Sequence, residues 1–113
     1  MNFSQIKSLL DSTNDPELKL ELLMDIGKEL PLIPPGQTGT RISGCASRVD
    51  IFRDNLGKLY ANSDSAIVRG LIKVLFAIKE ANLDFNEFSE LKLNLGASRL
   101  IGTSAIIAFL KAL

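Results

Sequence analysis

Ten consecutive residues, Pro31-Leu32-Ile33-Pro34-Pro35-Gly36-Gln37-Thr38-Gly39-Thr40, hold three prolines and two glycines. No helix crosses such a run, because each proline removes a backbone N–H and its ring clashes with the preceding turn. The chain must change character here. The run is predicted to be a connecting loop, extended in part, and it is the one loop long enough to suggest a function.

Before it, the pattern is helical. Phe3, Ile6, Leu9 and Leu10 recur at helical spacing and predict a short first helix. Asn14-Asp15-Pro16-Glu17 is a helix start: a capping side chain, a proline in the first turn, then an acid. Leu18, Leu22, Ile26 and Leu30 continue one apolar face, and Pro31 is expected to end that helix.

After the loop, the period shortens to two. Ser47 to Arg53 alternates apolar Val49 and Ile51 with polar neighbours, Asp54-Asn55-Leu56-Gly57 makes a turn, and Lys58 to Asn62 returns. A third helix follows, capped by Ser63 or Asp64, with an apolar stripe of Ile67, Val68, Leu71, Val74, Leu75 and Ile78. Arg69, Lys73, Lys79 and Glu80 fall on its other side. Gly70 inside this helix costs about 1 kcal/mol relative to Ala, which a close backbone approach by another element would explain. A short helix near Glu87 to Leu91 comes next, then a last helix capped by Ser98, with Leu100, Ile101, Ala105, Ile106, Leu110 and Leu113 expected in the core. The sum is an α+β fold: a small antiparallel sheet, a hairpin over about 47–62 with room for a third short strand, packed against N-terminal and C-terminal helices.

At 113 residues, one domain spanning 1–113 is expected. The N-terminus lacks the basic region and apolar run of a secretory signal, and no stretch of about 18 apolar residues exists, so the expectation is a cytoplasmic protein with no membrane span. Net charge is zero but uneven: residues 1–30 balance at −3, residues 31–79 at +4 and residues 80–113 at −1. That basic bias is too small to argue for nucleic acid.

Cys45 is the only cysteine, and there is no histidine. A cysteine enzyme normally holds its thiolate with a base, most often His. Zinc sites and iron–sulfur clusters need several Cys or His ligands, and dithiol redox needs a second Cys. What survives is a lone thiol in a basic segment, either an acceptor of one sulfur or a small buried side chain. Composition alone favours the inert reading. Against it, Cys45 follows a glycine in a predicted loop, and Ser43, Ala46 and Ser47 beside it are small.

Four blocks, in order, resemble the SufE-like family of sulfur acceptors. Arg41-Ile42-Ser43-Gly44-Cys45-Ala46-Ser47-Arg48-Val49 looks like the family's Arg, Val, any residue, Gly, Cys, any residue, Ser, any residue, Val. Gly57 to Leu71, with Ser63-Asp64 and Arg69-Gly70-Leu71, is similar to the family's second strand and following helix. Ser98-Arg99 and then Gly102 resemble its last helix, and Leu22 to Pro31 fits a further block ahead of the loop. The likeness covers about Asp15 to Leu113. Position 48 is Arg where the family usually has Gln, position 50 is Asp where an aromatic is common, and Leu95 lies near the place of a histidine.

The resemblance implies a SufE/IscU-like fold and a carrier that receives persulfide sulfur on Cys45 from a cysteine desulfurase. Such a carrier stimulates the desulfurase and hands sulfur to a downstream iron–sulfur scaffold. It implies no cofactor on this chain, the pyridoxal phosphate being the desulfurase's. Gly44, Ser43, Ser47 and Arg41 would form the thiol's loop. Arg48, Asp64, Arg69 and Arg99 are candidates for partner contact or thiolate stabilisation, with Asp64 also a candidate helix cap and Arg99 a candidate anchor for the last helix. The alternative is a binding module that docks on a desulfurase or scaffold without carrying sulfur. An independent cysteine enzyme is disfavoured by the missing histidine.

Overall fold

The computed structural model describes residues 1–113. Helix α1 (Phe3–Leu10) opens with a reciprocal cap: Gln5 N–H donates to Asn2 Oδ1, and Asn2 N–H donates to Gln5 Oε1. Helix α2 (Pro16–Gly27) starts as expected, with the Asp15 carboxylate accepting from Glu17 N–H and proline in the first turn. It ends earlier than Pro31. Residues 28–30 tighten instead into shorter bonds, Glu29 N–H to Ile26 O and Leu30 N–H to Gly27 O.

The sheet has three antiparallel strands in the order β1 (Thr40–Arg41), β2 (Val49–Arg53), β3 (Leu59–Ser63). Asp50 lies opposite Asn62 and Ile51 opposite Ala61, so alternation sends Val49, Ile51, Leu59 and Ala61 into the core. Asp50, Phe52, Tyr60 and Asn62 take the outer face. The proline-rich loop runs along the far edge of β3, where Ala61 N–H donates to Pro31 O. It then passes by Gly39 into β1.

Helix α3 (Ala66–Glu80) is the axis of the molecule. All nine residues from Gly70 to Ile78 are buried, because α1, α2, α4 (Asn86–Glu90), α5 (Gly96–Lys111) and β3 all pack on it. Twenty-three buried apolar residues form one cluster around it. No helix is long and apolar enough to cross a membrane.

Five sequence expectations shift. The buried line of α2 is Lys19, Leu23, Ile26 and Gly27, with Leu18 40% exposed. The helix is turned by the crossing with α3, where Gly27 faces the Gly70 backbone closely enough that a Cβ on Gly27 would sit 2.6 Å from Gly70 N. Ser65, not Ser63 or Asp64, caps α3, accepting from Val68 N–H. Lys73 is buried rather than solvated, its Nζ directed at the Met1 carbonyl 3.5 Å away. Helix α5 begins at Gly96, ahead of Ser98, with no side-chain cap. Leu100, Ile101 and Leu113 are exposed, because α5 buries a narrow line of Gly102, Thr103, Ile106 and Leu110 instead of a broad stripe.

Candidate functional site

Cys45 lies in the turn that leaves β1 and returns into β2. Gly44 precedes it at φ +91°, a conformation that residues with a Cβ rarely adopt. That left-handed step turns the chain back toward α5, where the Gly44 Cα side faces Ala105. Cys45 lands on Gly102. The thiol donates a long hydrogen bond, 3.6 Å, to the Gly102 carbonyl, and a Cβ at Gly102 would touch Cys45 Sγ, Cα and Cβ at 3.5–3.7 Å. These are ordinary contact distances, so the thiol lies against the α5 backbone without being wedged there.

The thiol is half-buried and lines a small cleft of about 30 Å³. Val68, Leu71 and Ile106 form the apolar wall. Ser47 stands on the loop side, and Ser98, Arg99 and Thr103 on the α5 side. Thr103 spends its hydroxyl on the Arg99 carbonyl at 2.7 Å. Arg99 is the one cationic residue lining the cleft, and it makes no ion pair. Burial pushes the Cys45 thiol pKa up. In this position the sulfur is a protonated, sheltered thiol rather than an activated nucleophile.

The remaining arginines do not surround it. Arg41 and Arg48 both turn to the outer sheet face, where Nε of each binds Asp50 at 2.8 and 2.9 Å. The hydrogen bond from Arg41 and then that from Arg48 hold the Asp50 carboxyl below its ordinary value, against an opposing push from desolvation. Arg69 donates to the Ser63 carbonyl at 2.8 Å, tying the end of β3 to the first turn of α3. Asp64 accepts from the Arg48 backbone N–H at 3.2 Å. Ser43 is exposed at the start of the turn. Of the expected group, the fold brings Cys45, Ser47 and Arg99 to one cleft with Gly44 at its edge; Arg41, Arg48, Asp64 and Arg69 brace the surrounding backbone.

Two residues matter more than the spacing of the sequence suggested. Thr103 does not stand out in the sequence, and Asp50 does so only as a departure from the family pattern. Asp50 had a signal: two residues after Arg48 on a strand, it must point to the same face.

A family model described as SufE, Fe-S metabolism associated domain, matches residues 4–113. No protein of curated function matches the chain. Among solved structures, the solution structure of a hypothetical protein from Thermus thermophilus superposes with a TM-score of 0.67 at 22% identity, covering 97% of this chain and 90% of that one. At that identity, the likeness speaks for the fold.

Proposed function

The chain belongs to the SufE family, whose domain is associated with Fe–S metabolism, and from that premise we propose that it is a sulfur carrier loaded on Cys45 by a cysteine desulfurase. The observation that supports this most is the lodging of the only thiol at the mouth of a cleft, against the backbone of Gly102, rather than in the core. A half-exposed thiol on a surface turn, held by one long hydrogen bond to helix backbone, is within reach of a partner as a core cysteine is not.

The transfer is a displacement at sulfur. The Cys45 thiolate attacks the outer sulfur of a persulfide on the desulfurase. A new S–S bond forms on Cys45 as the partner's S–S bond breaks, and the partner cysteine leaves as a thiolate. The proton released from Cys45 goes to solvent or to the leaving thiolate. The sulfane sulfur changes hands without net oxidation or reduction, as in thiol–disulfide exchange. The downstream scaffold then repeats the displacement on Cys45.

Magnitudes assign the work. A free thiol near pKa 8.5 is a few per cent thiolate at neutral pH, and burial makes the Cys45 fraction smaller. One pKa unit of activation changes the rate only about threefold, because nucleophilicity falls as the thiolate fraction rises. Positioning two reactants supplies effective molarities of roughly 10⁵ M or more. Docking, which aligns the sulfurs and draws Cys45 out of its cleft, therefore dominates, and no histidine is required. Between encounters the same cleft shelters a bound persulfide from stray thiols.

The test is the intact mass of the protein after incubation with a cysteine desulfurase and cysteine. One added sulfur, lost on reduction and absent from Cys45→Ser, is the expected result. Stimulation of the desulfurase that persists in Cys45→Ser, with no sulfur gained by the unsubstituted chain, would replace this reading with a binding module.

A further inference from the structure

The loop carrying Cys45 has almost no structure of its own. Residues 43–47 make no backbone–backbone hydrogen bond; the last rung joins Ile42 N–H to Val49 O at 2.9 Å. Cys45 is held by the long bond to Gly102 and by packing. Where such a loop lies is decided by its two stems.

One carboxylate, on the returning stem, adds a side-chain tie to the backbone rungs between them. Arg41 sits on the outgoing stem and Arg48 on the returning one, and their Nε atoms bind the two oxygens of Asp50, Oδ1 at 2.8 Å and Oδ2 at 2.9 Å. The Asp50 side chain is 13% exposed, while the guanidinium-bearing chains are 56% and 63% exposed. Pairs held this way on the inner partner are better ordered than two mobile surface chains. The returning stem is pinned again where Asp64 accepts from Arg48 N–H. Asp50 is not among the residues that line the thiol's cleft.

We infer that Asp50 is a positioning residue for the acceptor thiol: by clasping Arg41 to Arg48 it fixes both stems and keeps Cys45 lodged against Gly102. Its relevance to sulfur transfer rests on the carrier reading above, because the clasp sets how readily the thiol leaves its cleft. Asp50 acts through the two arginines and never contacts sulfur. Releasing it loosens the stems, which the backbone rungs still join, so the loop samples more of the positions in which Cys45 faces solvent.

The experiment is alkylation of Cys45 by iodoacetamide in the isolated protein, followed across pH for the unsubstituted chain, Asp50→Asn, Asp50→Glu and the double variant Arg41→Gln/Arg48→Gln. Asp50→Asn should react roughly three- to tenfold faster, the range that loss of two partly exposed ion pairs produces. Its pH midpoint should fall toward that of a free thiol as the sulfur spends less time buried. Asp50→Glu keeps the carboxylate and should stay within about twofold of the unsubstituted protein. The double variant, altered only at exposed side chains, should reproduce the acceleration. Unchanged rate and midpoint in Asp50→Asn or in the double variant would overturn the inference, as would Asp50→Glu reacting as fast as Asp50→Asn. Alkylation needs no partner, so it is separable from sulfur loading. Faster alkylation with no sulfur uptake by any variant would remove the carrier reading and leave the clasp, whereas normal sulfur uptake with unaltered alkylation would do the reverse.

Discussion

The molecule meets helix backbone through glycine in two places, and the two meetings differ. Where α2 crosses α3, Gly27 and Gly70 bring the main chains into direct contact. A Cβ on Gly27 would stand 2.6 Å from Gly70 N, and one on Gly70 would run into the Leu23 carbonyl. Where the Cys45 loop meets α5, the corresponding contacts are 3.5 Å at Gly44 and 3.5 Å at Gly102. The first is a lock, sealed by fully buried neighbours such as Leu23, Ile26 and Leu71. The second is ordinary van der Waals contact on a partly exposed surface, with one long S–H bond. Rigidity is concentrated in the crossing, and the thiol rests on the firm helix without being welded to it.

The largest effect expected from breaking this contrast is at the crossing. Gly70→Ala forces helix main chains apart and should destabilise the fold by about 3 kcal/mol, the upper part of the range for overpacking, as read by denaturant midpoint. Gly44→Ala meets no clash but must hold the left-handed backbone, so it should cost about 1–2 kcal/mol in the same assay, less if the loop undocks to relieve the strain. Gly102→Ala adds only ordinary contacts beside the thiol and should change stability by less than about 1 kcal/mol, visible as a small shift in unfolding midpoint.

The pH response is the gentlest probe. Because burial raises the Cys45 pKa, the native state favours the protonated thiol. That preference is fully present below the thiol's unfolded pKa and is lost as pH rises through the folded value. Denaturant midpoints should fall slightly over that alkaline window in the unsubstituted chain, and this component should vanish in Cys45→Ser. The alkylation midpoint of the native protein should correspondingly lie above the free-thiol value near 8.5.

Much of this was legible in the sequence. The Pro31–Thr40 run separated helix from sheet, alternation at Val49 and Ile51 set the hairpin, and Asp15-Pro16 marked a helix start. Gly70 announced a close approach, and Gly27 supplied it. The errors share a cause. Leu18, Leu100 and Ile101 sit at helical spacing for a core face, yet which way a helix is rolled depends on what it packs against, and the glycine crossing and the narrow α5 contact decide that. Lys73 is inside because α3 is covered on every side, which local periodicity cannot register.

At the site, the turn that carries Gly44 and Cys45 was readable from the order of residues, although composition alone favoured a buried, inert thiol. The roles of the arginines were not. A basic segment suggested charge around Cys45, but the outer sheet face that Arg41 and Arg48 share points away from the thiol's cleft. Arg41 and Arg48 pair with Asp50 on that same face instead, while Arg99, more than fifty positions away in the chain, came to line the cleft. That convergence is a product of tertiary packing.

The central claim is that Cys45 carries sulfur, and the intact mass after exposure to a cysteine desulfurase and cysteine tests it most directly. The account predicts one added sulfur on the unsubstituted protein, removed by reductant and absent from Cys45→Ser. A folded protein with an alkylatable thiol that gains no sulfur from any of several desulfurases would contradict it.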